Sequence, residues 1–400
     1  DGRAKPEHDP LPDAHAPIDI AAATAAANTV LSDTALASEQ ARRVDGAAIA
    51  AIRAAGLSRL LAPARFGGDE TPVSAHIRSC RALAHGCSAA SWVQMVCAAH
   101  TYVVGRFPEQ CLQEVFGPSP DVLIPGTLAP QGQARKVNGG WVLTGRWQFG
   151  SGVDHGPWLL LGAMAVAEDG ETALPPVHLV VPTADIQIID TWFTLGMRGT
   201  GSKDLEADAV FVPVHRGMPT RELFRGDFEG EAGPLYHLPV MGGLASMLAA
   251  TVVGIAERGL EHFVGITKAR KEAYSGRDKS QKVSVQMRLA EAQGEVRLAA
   301  LLVEENCALL DAAMAENRPP LSVERSAHIR WNAVYAVELC RRATERIYAA
   351  AGAGATFDSS PLQQWFRDIN TACHHAICDF DGALEIQGRL ALGMSAGAMV

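Results

Sequence analysis

The sequence predicts an α+β fold, a β domain set between two helical blocks, on three observations. From Asp121 to about Val214, apolar residues alternate with a period of two, in runs such as Trp141–Thr144, Trp158–Ala165, Val177–Val181 and Ala209–Val212. On either side of that stretch, apolar residues recur at helical spacing instead. The chain has 400 residues, 48% of them hydrophobic and 20% charged, enough to bury a sizeable core. The reading divides it into a disordered leader at 1–17, an N-terminal helical domain at 18–120 and a middle β domain at 121–214. A linker at 215–237 and a C-terminal helical bundle at 238–400 complete it.

Taken in order, the polar leader carries Pro6, Pro10, Pro12 and Pro17 and lacks the apolar core of a signal peptide. The first block places Ala48, Ile52 and Leu57 at helical spacing, then breaks at Leu61-Ala-Pro-Ala-Arg-Phe-Gly-Gly68. Helices are predicted over Val73 to Ala84 and Ala89 to Val104, the second bearing Trp92, Met95, His100 and Tyr102. In the β domain, Asn138-Gly139 can supply the positive φ angles of a two-residue hairpin turn. In the last block, Ile329, Ala333, Val337, Cys340 and Ile347 share one helix face, with Arg341, Arg342 and Glu345 opposite.

Composition excludes several functions. A net charge of −9 argues against non-specific nucleic-acid binding, which needs a basic face. No apolar run reaches the length of a bilayer-spanning helix, so no membrane association is expected. Eight cysteines occur without a C-x-x-C pair and read as buried free thiols, which points to a reducing cytoplasm. His374 and His375 stand between Cys373 and Cys378, but the spacing suits metal ligation poorly, and no metal is predicted.

The stretch Gly145-Arg-Trp-Gln-Phe-Gly-Ser-Gly152 is the one with chemical character. Two aromatics, Trp147 and Phe149, give way to a small hydroxyl residue and open backbone N–H groups at Ser151. Such a combination suits a flat ring with polar edges, such as a flavin, although aromatics on a strand also serve a core. Gly199-Thr-Gly-Ser202 has the look of a phosphate loop but lacks the lysine placement of one, and reads as a turn between strands.

With these residues in view, the chain resembles the acyl-CoA dehydrogenase fold and, within it, the flavin-dependent two-component monooxygenases such as the oxygenase of p-hydroxyphenylacetate hydroxylase. The resemblance runs from about Leu57 to the C-terminus. Its landmarks are the Leu61–Gly68 and Gly145–Gly152 stretches, Ser91-Trp-Val93 and Gly196-Met-Arg-Gly-Thr-Gly-Ser202. Further on come Ala351-Gly-Ala-Gly354, Pro361-Leu-Gln363 and Arg367-Asp368 through His375. It implies a middle β-barrel or sandwich, a C-terminal four-helix bundle and a homotetramer. It further implies reduced FMN or FADH2 taken from a separate NAD(P)H-dependent reductase, O2 as co-substrate, and a C(4a)-hydroperoxyflavin that hydroxylates an aromatic molecule.

By the same resemblance, Ser151 matches the serine beside flavin N(5), with Trp147 and Phe149 lining the ring. His375 matches the histidine over the flavin, with His374 beside it leaving the choice open by one position. His100 matches a histidine facing the substrate, and Thr127 stands where a serine assists it. Arg258 matches an arginine near the flavin, and Arg270 or Lys271 would reach phosphate, from the neighbouring subunit if not from the same one. Gln364 stands where the family usually has Arg, and Gly150 where Ala, Ser or Cys is common.

The residues suit that chemistry. Histidine has a reference pKa close to working pH, so His100 could serve as a base on a phenol, and Ser151 offers a neutral hydroxyl. Each also has a plainer reading. His100 fits a hydrogen-bonded core histidine, His375 a helix cap or a partner of Asp379, and Lys268, Arg270 and Lys271 a solvated face. Rival functions are an N- or S-oxygenase, a flavin dehydrogenase or oxidase of the same fold, and a non-catalytic helical assembly protein. A dehydrogenase commonly carries Glu-Gly-Thr near the C-terminus, and Asp379-Phe-Asp-Gly-Ala-Leu-Glu385 and the residues after it lack that sequence. No dinucleotide-binding Gly-x-Gly-x-x-Gly follows a strand, so the reductase lies elsewhere.

Overall fold

The computed structural model describes residues 18–225, 232–272, 274–316 and 321–397; the leader expected at 1–17 lies outside them. The first block contains α1 (Ile20–Ala41), α2 (Gly46–Ala54), α3 (Val73–Leu83), α4 (Ser88–Val104) and α5 (Glu109–Phe116). Asp19 caps α1, its carboxylate accepting the Ala21 and Ala22 N–H groups that the first turn leaves unpaired. The break after Leu61 is a single 3-10 turn over Ala64–Phe66. The apolar content of α4 has a simple cause, because 16 of its residues are buried and only Val96 keeps appreciable surface.

Seven strands follow: β1 (Gly126–Val137), β2 (Gly140–Gly150), β3 (Trp158–Val166), β4 (Ala173–Pro182), β5 (Gln187–Ile189), β6 (Lys203–Pro213) and β7 (Gly217–Pro219). They form one sheet in the order β5-β6-β2-β1-β3-β4-β7, with β1 parallel to β3 and the remaining pairs antiparallel. The expected barrel or sandwich is therefore a single open sheet. Register shifts in β1 between Thr127 and Gly132, and in β2 between Trp147 and Gly150, bend it around its own apolar cluster of Leu143, Trp147, Leu161, Leu179 and Leu205. In the β1–β2 hairpin only Gly139 takes a positive φ, 80°, so Asn138 does not share that conformation as the sequence suggested.

The stretch read as a linker contributes structure. β7 pairs with β4, and α6 (Thr220–Arg225) follows it. The chain then enters α7 (Val240–Ala269), α8 (Val283–Ala315), α9 (Val323–Ala351), α10 (Pro361–Ala372) and α11 (Phe380–Ala391). The three long helices pack on one another, α10 packs on α7 and α9, and α11 packs on α9. The predicted face of α9 is the buried one, including Ile329, Val337 and Cys340. α7 is long and apolar enough to cross a membrane, which the sequence reading overlooked, but most of it is buried inside the protein. α8 is apolar on two sides: Val285, Val296, Val303 and Leu310 face the interior, while Met287, Leu298 and Leu301 are exposed.

Two buried contacts tie the C-terminal helices to the rest of the chain. The buried Arg106 guanidinium donates to the carbonyl oxygens of Tyr102, Tyr236 and Leu238, at 2.6, 2.7 and 2.8 Å, and so holds the approach to α7 against α4. Asp368 on α10 accepts the backbone N–H of Met197 at 2.6 Å, tying the loop before β6 to the C-terminal helices. All eight cysteines are free thiols, Cys373 partly buried and the others buried.

Candidate active site

The site forms where the end of β2 meets α4. Past Trp147 the strand loses register with β6, and Phe149 enters the left-handed region at φ 66°, uncommon for a non-glycine residue. The Ser151 N–H then bonds back to the Phe149 carbonyl at 2.9 Å, and Ser151 pairs across to Gly126, the first residue of β1. Gly126 must be glycine here, because at φ 137° a Cβ would collide with the Leu160 carbonyl. Gly152, at φ 74°, lets the turn settle on α4, where a Cβ would stand 2.7 Å from a Val93 methyl. These constraints leave Phe149 60% exposed, edge-on to Trp192 with ring centroids 6.2 Å apart.

Trp92, which with Met95 and Tyr102 suggested room for a flat apolar molecule, has a contact role that the sequence did not reveal. Its indole N–H donates to Ser151 Oγ at 3.2 Å, and its ring stands edge to face with His375, centroids 5.7 Å apart. The signal was present, since Trp92 stands on the same predicted helix as His100, two turns before it. His375 caps the turn between α10 and α11, its Nδ1 accepting the Ile377 N–H at 3.2 Å, so the capping role foreseen for it is real. Asp379 instead caps α11 through the Gly382 N–H. With Nδ1 an acceptor, the neutral ring carries its proton on Nε2 and is a donor there. Surrounding protein disfavours the charged ring and lowers its pKa, an effect moderated by the exposure of its surface to solvent. His374 faces elsewhere: its Nδ1 bonds the Asn370 carbonyl at 2.6 Å, and it lines a separate cavity of about 330 Å³ with Glu338, Arg341 and Phe380.

His100 lies two turns along α4 from Trp92, with Val96 between them, so all three share a helix face. Its Nδ1 is 2.8 Å from the Ile124 carbonyl. A carbonyl oxygen only accepts, so Nδ1 carries the proton and Nε2 the lone pair. Burial pushes its pKa down to about 4, with the Ile124 hydrogen bond partly opposing the shift, and the ring is neutral at pH 7. Thr127 follows three residues after Ile124, half-buried at the start of β1, its hydroxyl 3.4 Å from the Ala129 N–H. The structure thus links Ser151 and His375 through Trp92, with His100 two turns further along the same helix and Thr127 three residues beyond its partner Ile124.

Other predicted residues stand apart from it. Trp147 is fully buried in the sheet's own cluster, its indole N–H donating to the Gly162 carbonyl at 2.7 Å, so within the chain it is a core residue and not an open wall. Arg258 pairs with Glu261 at 3.6 Å and lies 6.0 Å from the Trp365 ring. Lys268, Arg270 and Lys271 are exposed near the far end of α7. Thr251, the point where α7 touches the α4 residue Ser91, precedes Arg258 by about 10 Å and Arg270 by about 28 Å along the helix. Among the described residues, no group of three or more His, Cys, Asp or Glu side chains could hold a metal ion.

An exposed aromatic wall, a buried hydroxyl at its edge and two histidines of fixed tautomer fit a flat heteroaromatic cofactor, and with the fold they define a flavoprotein of the acyl-CoA dehydrogenase type. The sequence profile described as "Acyl-CoA dehydrogenase, C-terminal domain" matches residues 246–380. Over 342 residues the chain is 32% identical to a pigment production hydroxylase of a Rhodococcus species, covering 85% of this chain and 87% of the relative. It is 30% identical to the oxygenase component of p-hydroxyphenylacetate 3-hydroxylase from Acinetobacter baumannii, covering 91% and 86%. The structure superposes on XiaF from a Streptomyces species, solved with FADH2 and glycerol, with a TM-score of 0.90 at 28% identity over 95% and 96% of the two chains. The chain belongs to the family of flavin-dependent monooxygenase oxygenase components. It uses a reduced flavin together with O2.

Proposed function

We propose that this protein hydroxylates a small aromatic molecule, phenolic or polyketide-like, as the oxygenase of a pair whose other member is a separate NAD(P)H-dependent flavin reductase. The observation that carries this reading is the opposite polarity of the two histidines. His375 offers a hydrogen from Nε2, and His100 a lone pair from Nε2, on either side of Trp92. Reduced flavin, when bound, supplies the electrons that activate O2.

The residues take separate roles around it. With flavin bound, the exposed Phe149 would line its ring and Ser151 would offer its N(5) edge a hydroxyl oxygen. His375, with Nδ1 occupied by the Ile377 N–H, would have Nε2–H free to donate toward oxygen brought to the flavin. His100 accepts the hydrogen of a phenolic hydroxyl, with the Thr127 hydroxyl beside it. At about 4, the pKa of His100 is too low for it to retain that proton at pH 7, so it orients and polarises the phenol and does not abstract from it outright. The buried face of α4 keeps water from the reacting atoms.

The working protein is proposed to be a homotetramer. Arg258 and Arg270 lie about 10 and 28 Å along α7 from its contact with α4, and a neighbouring copy would bring them to the flavin phosphate. The exposed stripe of Met287, Leu298 and Leu301 on α8 supplies an apolar surface for that assembly. The localisation proposed is cytoplasmic.

The reading is tested by mixing anaerobic protein and reduced FMN or FAD with oxygenated buffer in a stopped-flow spectrometer, with and without simple phenols. The expected result is delayed appearance of oxidised flavin and one atom of O2 in a hydroxylated product. Reoxidation at the free-flavin rate, with hydrogen peroxide the sole product for every phenol, would overturn it.

A further inference from the structure

Three hydroxyls form a row of which the proposed chemistry uses only the first, Ser151. Ser151 Oγ is 2.7 Å from Ser202 Oγ, and Ser202 Oγ is 2.7 Å from Thr200 Oγ1. Thr200 Oγ1 in turn is 2.8 Å from the Met197 carbonyl oxygen. All three side chains are buried. Each hydroxyl owns a single hydrogen, and the carbonyl at the end of the row can only accept. The row is therefore satisfied in one direction. Thr200 donates to Met197, Ser202 to Thr200, and Ser151 to Ser202. Trp92 takes one Ser151 lone pair from the other side. What Ser151 presents to a ligand is its remaining lone pair.

The anchor of the row is itself held. Met197 sits in the left-handed region at φ 52°, its N–H bound by Asp368, and its carbonyl also accepts the Trp192 indole N–H at 3.0 Å.

We propose that Thr200 and Ser202 are positioning residues that keep Ser151 an obligate acceptor, and that the site thereby selects reduced over oxidised flavin. This rests on the placement of flavin N(5) at Ser151 proposed above. Reduced flavin carries an N–H at N(5), and oxidised flavin carries a lone pair there. An acceptor-only Ser151 bonds the first and meets the second lone pair to lone pair, so reduced flavin is held and oxidised flavin is released.

The test is the ratio of dissociation constants for oxidised and reduced FMN, and likewise FAD, measured anaerobically by fluorescence titration and ultrafiltration on the full-length protein. In Thr200→Val the Ser202 hydrogen loses its acceptor and turns toward Ser151. In Ser202→Ala the Ser151 hydrogen is released. Both variants are expected to lower the ratio about tenfold, the weight of one hydrogen bond. Thr200→Ser, which keeps the donor, restores it. Circular dichroism and the thermal midpoint verify folding of each variant.

An unchanged ratio in Thr200→Val and Ser202→Ala, with a lowered one in Ser151→Ala, overturns the orientation row alone. An unchanged ratio in Ser151→Ala as well overturns the placement of N(5) on which it rests.

Discussion

The Met197 N–H and the Asp368 carboxylate meet at 2.6 Å, joining the loop before β6 to the helix that leads to His375. Burial raises the Asp368 pKa to about 7, with the Met197 hydrogen bond opposing it in part. The unfolded chain loses this proton from about pH 4 upward, whereas the folded protein keeps it until about pH 7. Folded protein thus binds more protons across that window, and stability falls as pH rises through it. Asp368→Asn keeps an acceptor and removes the titration. Its denaturation midpoint, relative to wild type, should improve from pH 5 to pH 8 by roughly 1–3 kcal/mol equivalent. Asp368→Ala leaves the Met197 N–H without a partner and should cost about 1–3 kcal/mol at both pH values.

Three buried histidines act in the opposite sense. Burial lowers His76 to about 3, His100 to about 4 and His178 to about 4. The unfolded chain takes up these protons below about pH 6.5 and the folded protein does not, so stability is lost as pH falls from 6.5 toward 4. Each contributes roughly 2 kcal/mol of loss at pH 5. The denaturation midpoint at pH 5 should lie well below that at pH 7, and His76→Gln, remote from the cleft, should narrow the gap.

Substitution at His100 separates binding from chemistry. His100→Ala should reduce phenol hydroxylation about 100-fold while oxygen consumption continues, because flavin oxidation no longer leads to product. Flavin dissociation constants should stay within about twofold of wild type, as measured by titration. A matching loss of flavin affinity would place His100 against the cofactor instead of the substrate.

Assembly is addressed by Leu298→Glu combined with Leu301→Glu. Both side chains are exposed on the chain, so the fold should survive. Sedimentation should show a tetramer for wild type and a smaller species for the variant, with weaker flavin binding as the neighbour's Arg258 and Arg270 are withdrawn. Wild-type sedimentation as a monomer would remove the argument for a shared site.

Much of the architecture was legible because it follows from periodicity. The change from helical to alternating spacing near Asp121 and back near Leu238 matches where strands begin and where α7 begins. The open form of the sheet was not legible, because register shifts such as that between Trp147 and Gly150 leave no local mark in composition. Trp147 and Phe149 show the limit at one residue's scale. Two positions apart, they read as a pair, yet the left-handed backbone at Phe149 turns one outward while the other fills the core. Ser202 and Thr200 were visible only as a turn, since their link to Ser151 spans about fifty residues of intervening chain. Trp92, with Met95 and Tyr102, suggested room for a flat apolar molecule, and only packing revealed that it touches both Ser151 and His375.

Val96 is the single residue of α4 that keeps appreciable surface, one turn from Trp92 and one from His100. Substitutions elsewhere on that helix disturb the interior on which the whole molecule depends. In the proposed site, a larger or smaller side chain at Val96 would alter the space between cofactor and substrate at less cost to the core than a change elsewhere on the helix. Divergence toward new substrates would then have a tolerant position there, within a helix whose other residues are all buried.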